Sequence, residues 1–307
     1  MRDRPMNERQ ITAFRHVLRL GSVTAAARAM SISQPAVSRH ISDLEADLGF
    51  PLFERRGGKL LPLPEAQALG HEVERMFYGL DRLRAFAREM RGLSHARISI
   101  ASLPMASFRI LPAAMGRFLR AHEGVRITHN VHTSERIADL VAAGQADFGI
   151  AQLPLGRTDV RRVAVWRCPC VAVLPPGHAL SGAARLTPRD LAGVPLVALA
   201  HQTVTAAYLT ERFSEAGISP NVIAESQPSY AACGLVAEGL GVAIVDPFTP
   251  GLFAHETLSV VPFEPVIPFD IFLVVHAERP LTRAVQSLID LVTAEFDRIE
   301  GTERIEG

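Results

Sequence analysis

Polar side chains recur on one side of a helix that the sequence predicts just after Ser33. Ser33 is a hydroxyl N-cap residue, and a proline is tolerated in the first turn, so the helix begins near Gln34. An apolar stripe at helical spacing faces the preceding helix and comprises Val37, Ile41, Leu44 and Leu48. The opposite face carries Gln34, Pro35, Ser38, Arg39 and Ser42. Gln and Arg bind base edges in a bidentate manner and Ser reaches bases or phosphates, so this face suits a DNA major groove.

The segment from Leu52 to Leu63 follows this helix and predicts a basic β-hairpin. Two short apolar runs flank Gly57-Gly58, which is a hairpin signal, and the cations at the tip are Arg55, Arg56 and Lys59. Such a hairpin beside a recognition helix can contact phosphates or enter a minor groove. The alternative, a plain helical hairpin with a solvated polar face, does not account for this basic hairpin.

The helices and the hairpin together resemble the winged helix-turn-helix of the LysR-type transcriptional regulators. The resemblance covers residues 7 to 64, and chain length and domain order agree with it. It implies base contacts from the start of the recognition helix and backbone contacts from the wing, at Gln34, Pro35, Ser38, Arg39, Arg55, Arg56 and Lys59. Ser33 and Ser42 complete the predicted DNA-binding set. Double-stranded DNA is the expected partner, and RNA polymerase is a further candidate partner.

Charge is unevenly distributed along the 307 residues, although the formal net charge is zero. Residues 1–64 hold ten Lys and Arg against six Asp and Glu, whereas residues 93–307 hold 17 against 21. The positive end is therefore the end predicted to bind DNA. With 48% hydrophobic residues, the chain has the composition of a globular protein with two or three domains.

Several other classes of protein have little support in the sequence. The sequence contains no apolar run of membrane-spanning length and no signal core after Met1, so we expect a cytoplasmic protein without membrane partners. Catalytic and cofactor-binding fingerprints are absent, so neither an enzyme nor a cofactor is expected. Cys168-Pro169-Cys170 lacks further ligands nearby for a metal site, which favours buried thiols over redox or metal chemistry.

A long helix is predicted after the wing, opening at Pro64-Glu65 and ending near Arg91-Gly92. Its apolar positions alternate at spacings of four and three: Leu69, Val73, Met76, Leu80, Leu83, Ala87 and Met90. Packing against the chain's own core is the alternative to a partner helix. The LysR resemblance implies a homodimer through this helix, a pseudo-palindromic operator and, as often in the family, dimers that pair into tetramers.

From about Arg97 onward, strands alternate with helices, as in an open α/β sheet. The chain passes twice between two lobes, near Trp166–Pro169 and Pro265–Pro268, which resembles the type-2 periplasmic-binding-protein fold of LysR effector domains. The expected fold is therefore multi-domain. Its parts are a winged helix-turn-helix (1–64), a linker helix (65–92) and an α/β effector domain (93–307), with lobe I at about 93–166 and 269–303 and lobe II at about 167–268.

The expected small-molecule effector binds between the lobes, where helix N-termini converge and backbone N–H groups can hold an anion. The candidate contacts lie in strand-to-helix turns: Ser102, Met105, Thr133, Ser134, Gln202 and Thr203. Helix capping is the alternative for each hydroxyl. Asp246 could pair with a ligand ammonium or cap the next helix.

The same fold occurs in solute-binding proteins of transport systems, which is the alternative function. Such a protein would need a signal peptide and would lack a helix-turn-helix, whereas this chain shows the opposite. Phe53–Pro62 and Ala243–Phe248 resemble the LysR branch that senses opines and basic amino acids, so the expected effector is a small anionic or zwitterionic metabolite such as an amino acid or opine.

Overall fold

A computed structural model describes residues 6–56, 59–89, 96–152, 157–201, 203–253 and 258–305. The chain divides into two compact units, Met1–Arg84 and Ala85–Gly307. Among the described residues, no helix has both the length and the hydropathy needed to cross a bilayer.

The first unit is a winged helix-turn-helix. Its elements are α1 (Glu8–Leu20), α2 (Val23–Met30), α3 (Gln34–Leu48), β1 (Phe53–Arg56), β2 (Lys59–Pro62) and the start of α4 (Pro64–Glu89). The spacing of Asn7 and Gln10 predicts a capping box. The box is present at the start of α1, where each of the two side chains bonds to the other residue's backbone N–H. Ser33 caps α3 through Ala36 N. The local signals that predicted these helix boundaries are thus confirmed.

One apolar core holds the first unit together. Phe14, Val17, Val37 and Leu44 are buried where the three helices meet, and Leu52 joins them from the start of the hairpin. Full burial of such side chains contributes roughly 1.5–3 kcal/mol each. Because α3 must present its apolar stripe to this core, its other face points outward.

The apolar positions of the long helix α4, at spacings of four and three, form its apolar seam. They lie in two different environments. Val73 is buried and Leu69 packs beside it in the core of the first unit, so the alternative of packing on the chain's own core holds for this part. Met76, Leu80 and Leu83 are 39%, 37% and 64% exposed, and so have no such cover. The Ala87 side chain, Met90 and the predicted end at Gly92 lie outside the described residues.

Lobe I of the second unit is a six-stranded sheet in the order β13-β6-β12-β5-β3-β4. The chain runs through β3 (Arg97–Ser102), α5 (Pro104–Ser107), α6 (Ile110–Ala121), β4 (Arg126–Val131), α7 (Ser134–Ala142), β5 (Phe148–Ala151) and β6 (Val160–Pro169). After lobe II it returns through β12 (Pro268–His276), α10 (Arg283–Phe296) and β13 (Glu303–Ile305). Trp166 stacks on Phe296 and donates a 2.7 Å hydrogen bond to Asp297, which fixes α10 on the sheet.

Lobe II contains β7 (Val171–Leu174), β8 (Pro195–Leu199), α8 (Val204–Glu215), β9 (Asn221–Ser226), α9 (Ser229–Ala237), β10 (Ala243–Val245), a 3₁₀ helix (Pro250–Phe253) and β11 (Ser259–Pro262). Strands β10, β7 and β11 form one sheet, and β8 and β9 form another. A bridge between Leu196 and Val242 joins the two sheets. These elements give the two-lobed α/β architecture that the sequence predicted.

Some elements differ from the sequence prediction. The sequence predicts one helix at Phe108–Arg120, which corresponds to α6, whereas the short helix α5 that begins at Pro104 was not predicted. Strands β6, β11 and β13 were not predicted. The first crossing follows Pro169, at the end of the predicted range Trp166–Pro169, since β6 stays in the lobe I sheet as far as Pro169.

The two crossings lie side by side. Cys170, between β6 and β7, donates its backbone N–H to Ile267 O at 2.9 Å, just before β12. Cys168 and Cys170 are buried here, and burial raises the pKa of both thiols. No group of three or more His, Cys, Asp or Glu residues in the described ranges could hold a metal ion. The structure thus gives these cysteines a packing role.

We expect Gly241→Ala to destabilise the second unit. Gly241 has φ of +146°, and an added Cβ would collide with the carbonyl oxygen of Pro195. Strain and overpacking together should lower the free energy of unfolding by at least about 2 kcal/mol. Urea unfolding followed by fluorescence of the single tryptophan, Trp166, measures this.

Gly234→Ala is the matched control, because nothing lies within 4 Å of its added Cβ on α9. It should raise stability by about 0.5–1 kcal/mol through helix propensity. Equal stability of the Gly241→Ala variant and the parent protein would contradict the close approach described here.

Candidate nucleic-acid interface and ligand cavity

The exposed face of α3 carries the residues that the sequence predicted for base contact. Ser33, Gln34, Pro35, Arg39 and Ser42 are exposed and Ser38 is half-buried. Among the described residues, neither the Gln34 amide nor the Arg39 guanidinium has a hydrogen-bond or ion-pair partner within the chain. Their donors are therefore available for base edges or phosphates.

A tight turn sets the angle between α2 and α3. Ser31 ends α2 in the left-handed region with φ of +55°, and its N–H bonds to Arg28 O. Ile32 N bonds to Ala27 O at 3.1 Å, so the carbonyls at the end of α2 are satisfied. Ser33, the N-cap residue of α3, directly follows this turn.

The β-hairpin is tied to the end of α3. Glu45 Oε1 accepts hydrogen bonds from Leu52 N at 2.7 Å and Phe53 N at 3.2 Å. Strands β1 and β2 pair antiparallel with Arg56 opposite Lys59, as expected for the two strands of the predicted hairpin. Arg56 is exposed; the side chains of Arg55 and Lys59, and Gly57-Gly58, lie outside the described residues. The Glu45 contacts hold the wing beside the recognition helix.

A cavity of about 1220 Å³ lies between the lobes of the second unit. Lobe I contributes the turns before α5 and α7 and the end of β5, and lobe II contributes the starts of α8 and α9. Five of the predicted effector contacts line it: Met105, Thr133, Ser134, Thr203 and Asp246. Gln202 lies outside the described residues. The structure therefore brings most of the sequence-predicted turns to one space.

Ser102 is placed differently from the other predicted contacts. It is fully buried and is not among the described residues that line the cavity. Its hydroxyl lies 2.8 Å from His129 Nε2 and 3.0 Å from Leu103 O, to which it donates. Burial lowers the pKa of His129, which favours the neutral ring beside this hydroxyl. Ser102 thus braces the strand end rather than presenting a free donor to the cavity.

Donors without partners converge at the start of α7. Thr133 is the N-cap residue, yet its side chain makes no capping hydrogen bond. Ser134 Oγ accepts Gln152 N at 2.9 Å, which draws the end of β5 against the helix. Gln152 is only 8% exposed and lines the cavity, and its Nε2 has no hydrogen-bond partner among the described residues. A buried amide without a partner is costly, so this site suits a ligand oxygen.

Gln152 was not predicted as a site residue. Its sequence context, directly after an apolar strand, carries a weak signal, because amides are common at strand ends. Its burial depends on the contact with Ser134, which lies 18 residues earlier in the chain.

Asp246 caps the following helix, which was the predicted alternative to a ligand contact. One of its oxygens accepts Phe248 N and Thr249 N at 3.1 and 2.9 Å, and both oxygens lie 2.9 Å from the Thr249 hydroxyl. Burial raises the pKa of Asp246, while hydrogen bonds from Ser229 and Thr249 lower it. The carboxylate is therefore satisfied by the start of the 3₁₀ helix and a neighbouring hydroxyl.

Arg157, on the lobe I wall of the cavity, forms ion pairs with two carboxylates. Arg157 donates to both oxygens of Asp159, at 2.9 and 2.6 Å, and to Asp139 Oδ1 at 2.9 Å. These hydrogen bonds hold the pKa of Asp159 below its usual value. The start of α7 presents the Thr133 hydroxyl and a helix N-terminus to the cavity, and Glu135 and Arg136 of its first turn also line it. A helix N-terminus favours an anionic group.

Two family models match the chain. Residues 9–67 match the bacterial regulatory helix-turn-helix protein, lysR family, and residues 91–297 match the LysR substrate binding domain. The first match contains α3 and the hairpin, and the second contains every described residue that lines the cavity.

Similar proteins agree along most of the chain. The transcriptional activator protein LysR of Escherichia coli K12 is 32% identical over 92% of this chain and 91% of its own length. The octopine catabolism/uptake operon regulatory protein OccR of Rhizobium meliloti is 32% identical over 95% of both chains. The crystal structure of full-length CbnR with its target DNA has a TM-score of 0.73 at 20% identity, and covers 94% of this chain and all of that chain. With two matching domains in the same order, this chain belongs to the LysR family of bacterial regulatory helix-turn-helix proteins.

Proposed function

We propose that this transcriptional regulator binds a pseudo-palindromic operator as a homodimer and responds to a small amino acid or opine held between the lobes of its effector domain. The observation that carries the proposal is the exposed, unpaired polar face of α3 beside a basic hairpin. A two-fold dimer presents two such faces, which suits half-sites of opposite orientation.

The α3 face is tested by replacing Gln34 or Arg39 with alanine. Each variant should lose about 1–3 kcal/mol of specific binding, because base contacts are lost, and should discriminate less between operator and random DNA. Lys59→Ala should weaken binding to both DNAs similarly and flatten the salt dependence, since it removes a phosphate contact. Gel-shift titrations at two salt concentrations measure both effects.

Arg97→Ala, at an exposed position on β3, controls for the loss of one positive charge. It should leave operator affinity unchanged. If the Gln34→Ala and Arg39→Ala variants both bound the operator as tightly as this control, α3 would not be the helix that recognises the bases of the operator.

The homodimer is supported by the exposed part of the α4 seam. Met76, Leu80 and Leu83 continue the spacing of the buried Val73, yet they are exposed in a single chain. Apolar side chains at heptad spacing are covered in a coiled coil by a second helix. A second copy of α4 is the proposed partner for this surface.

Leu80→Asp should dissociate the dimer, because the carboxylate would lie in an apolar seam without a partner. His71→Asp, an exposed substitution on the same helix off the seam, should leave the dimer intact. Light scattering on size-exclusion fractions gives the mass, and circular dichroism verifies folding. A folded, dimeric Leu80→Asp protein would mean that the dimer forms elsewhere.

The proposed effector carries a carboxylate that binds lobe I. The start of α7 offers the Thr133 hydroxyl, the partnerless Gln152 amide and backbone N–H groups. Neutral donors at a helix N-terminus stabilise an anion without a fixed positive charge. Gln202, Thr203 and Asp246 remain proposed contacts from lobe II, and the octopine-related name of OccR supports testing opines.

A thermal-shift panel of amino acids, opines and small organic acids identifies the effector, since a specific ligand raises stability by mass action. Calorimetry on the full chain should then show that Thr133→Val, Gln152→Leu and Gln202→Ala each weaken binding by roughly 1–3 kcal/mol. Thr128→Val on β4 is the matched control and should bind like the parent protein. Unchanged affinity in all three variants would place the effector elsewhere.

A further inference from the structure

Three aromatic rings meet beside the cavity, and they come from different lobes. Phe108 directly follows α5 in lobe I, whereas Tyr230 is in the first turn of α9 in lobe II. Their ring centroids are 5.4 Å apart with an interplanar angle of 24°, a stacked pair. Phe253 of lobe II lies 4.9 Å from the Tyr230 ring on centroid distance. Tyr230 also lines the cavity.

This contact differs from an ordinary core contact in its exposure. Phe108 is 43% exposed and Tyr230 is 47% exposed, so their stacking is not enforced by burial on all sides. Another aromatic contact between the lobes joins Phe248 and Phe296, whose ring centroids are 6.5 Å apart, but Phe296 is fully buried. A half-exposed aromatic pair can separate without opening a core.

We infer that Phe108 and Tyr230 form a clasp that holds the two lobes closed over the cavity and sets the fraction of molecules ready to bind effector. The inference rests on the proposed function, because it assigns a regulatory role to the same cavity. Phe108 is a positioning residue. Its ring stacks on Tyr230, and Tyr230 forms part of the cavity wall. An effector that contacts both walls binds the closed arrangement, so its apparent affinity follows the closed fraction.

The size of the effect follows from the strength of aromatic pairs. Such pairs shift an equilibrium by about 2- to 12-fold beyond simple area burial. Loss of the clasp should therefore lower the closed-to-open ratio by about this factor and leave each lobe folded. The lobes would remain joined by the two crossings, where Cys170 N donates to Ile267 O.

The experiment measures the distance between the lobes in the full chain without any added compound. Spin labels are attached to Arg120→Cys on α6 and Glu211→Cys on α8, both exposed positions. The native thiols stay unlabelled because all three are buried, and burial raises the pKa of Cys233 to about 12. The labelled protein is mixed with an excess of unlabelled protein, so that most labelled dimers carry spins on one chain only. Pulsed electron spin resonance then gives the distribution of lobe-to-lobe distances within a chain.

Phe108→Ala and Tyr230→Ala, made separately, should each add a population at a distance different from that of the parent protein. Phe108→Tyr keeps a stacking ring and should restore the parent distribution, which a purely structural defect would not do. Leu119→Ala, which removes a similarly exposed side chain from α6, is the control and should leave the distribution unchanged. Trp166 fluorescence verifies that lobe I is folded in each variant.

Distributions for Phe108→Ala and Tyr230→Ala that superimpose on that of the parent protein would overturn the clasp. Failure of Phe108→Tyr to restore the distribution would overturn the role of ring stacking. If either alanine variant failed to fold, the other still tests the pair from the opposite lobe. The proposed effector class is tested separately. It would be contradicted if no compound in the thermal-shift panel stabilised the parent protein.

Discussion

The cavity depends on one constraint, the place where the chain passes twice between the lobes. The hydrogen bond from Cys170 N to Ile267 O joins the two passages, and β6 and β12 continue as partners on the lobe I side. On the other side, β7 and β11 pair in the lobe II sheet. Because both connections are adjacent and hydrogen-bonded, they form a single link between the lobes at one side of the cavity. The turns that carry Thr133 and Thr203 line the cavity from the two lobes that this link joins.

In the DNA-binding unit, the equivalent constraint is the apolar stripe of α3. Val37, Ile41 and Leu44 must be buried, and a helix has only one side opposite that stripe. Capping by Ser33 fixes where the helix begins, so Gln34 and Arg39 fall on the exposed side. Near the C-terminal end of the same helix, Glu45 accepts a hydrogen bond from Leu52 N and so holds the wing in place. A single buried stripe thus orients both elements that are proposed to contact DNA.

Local signals predicted the fold well where their partners lie nearby in sequence. Helix caps such as Asn7 and Ser33 act within three residues, and the sequence located them. Strand β6 was not predicted, because its three arginines interrupt the apolar pattern that identifies a strand. In the structure Arg167 pairs with Asp270 at 2.6 Å and Arg162 lies over the Phe272 ring, and both partners are on β12. The burial of Gln152 also depends on a distant contact, so local sequence patterns could not identify it.

The distribution of polar groups around the cavity explains why a ligand could act as a switch. A ligand shifts an equilibrium between lobe arrangements only through contacts that differ between them. Asp246 is already satisfied by Thr249 and Ser229 within lobe II, so it provides little such difference. The Gln152 amide is the opposite case, since it has no partner among the described residues. The Gln152 amide on lobe I would give the proposed anionic effector a contact that the protein alone does not make, and in this proposal that difference couples binding to lobe geometry.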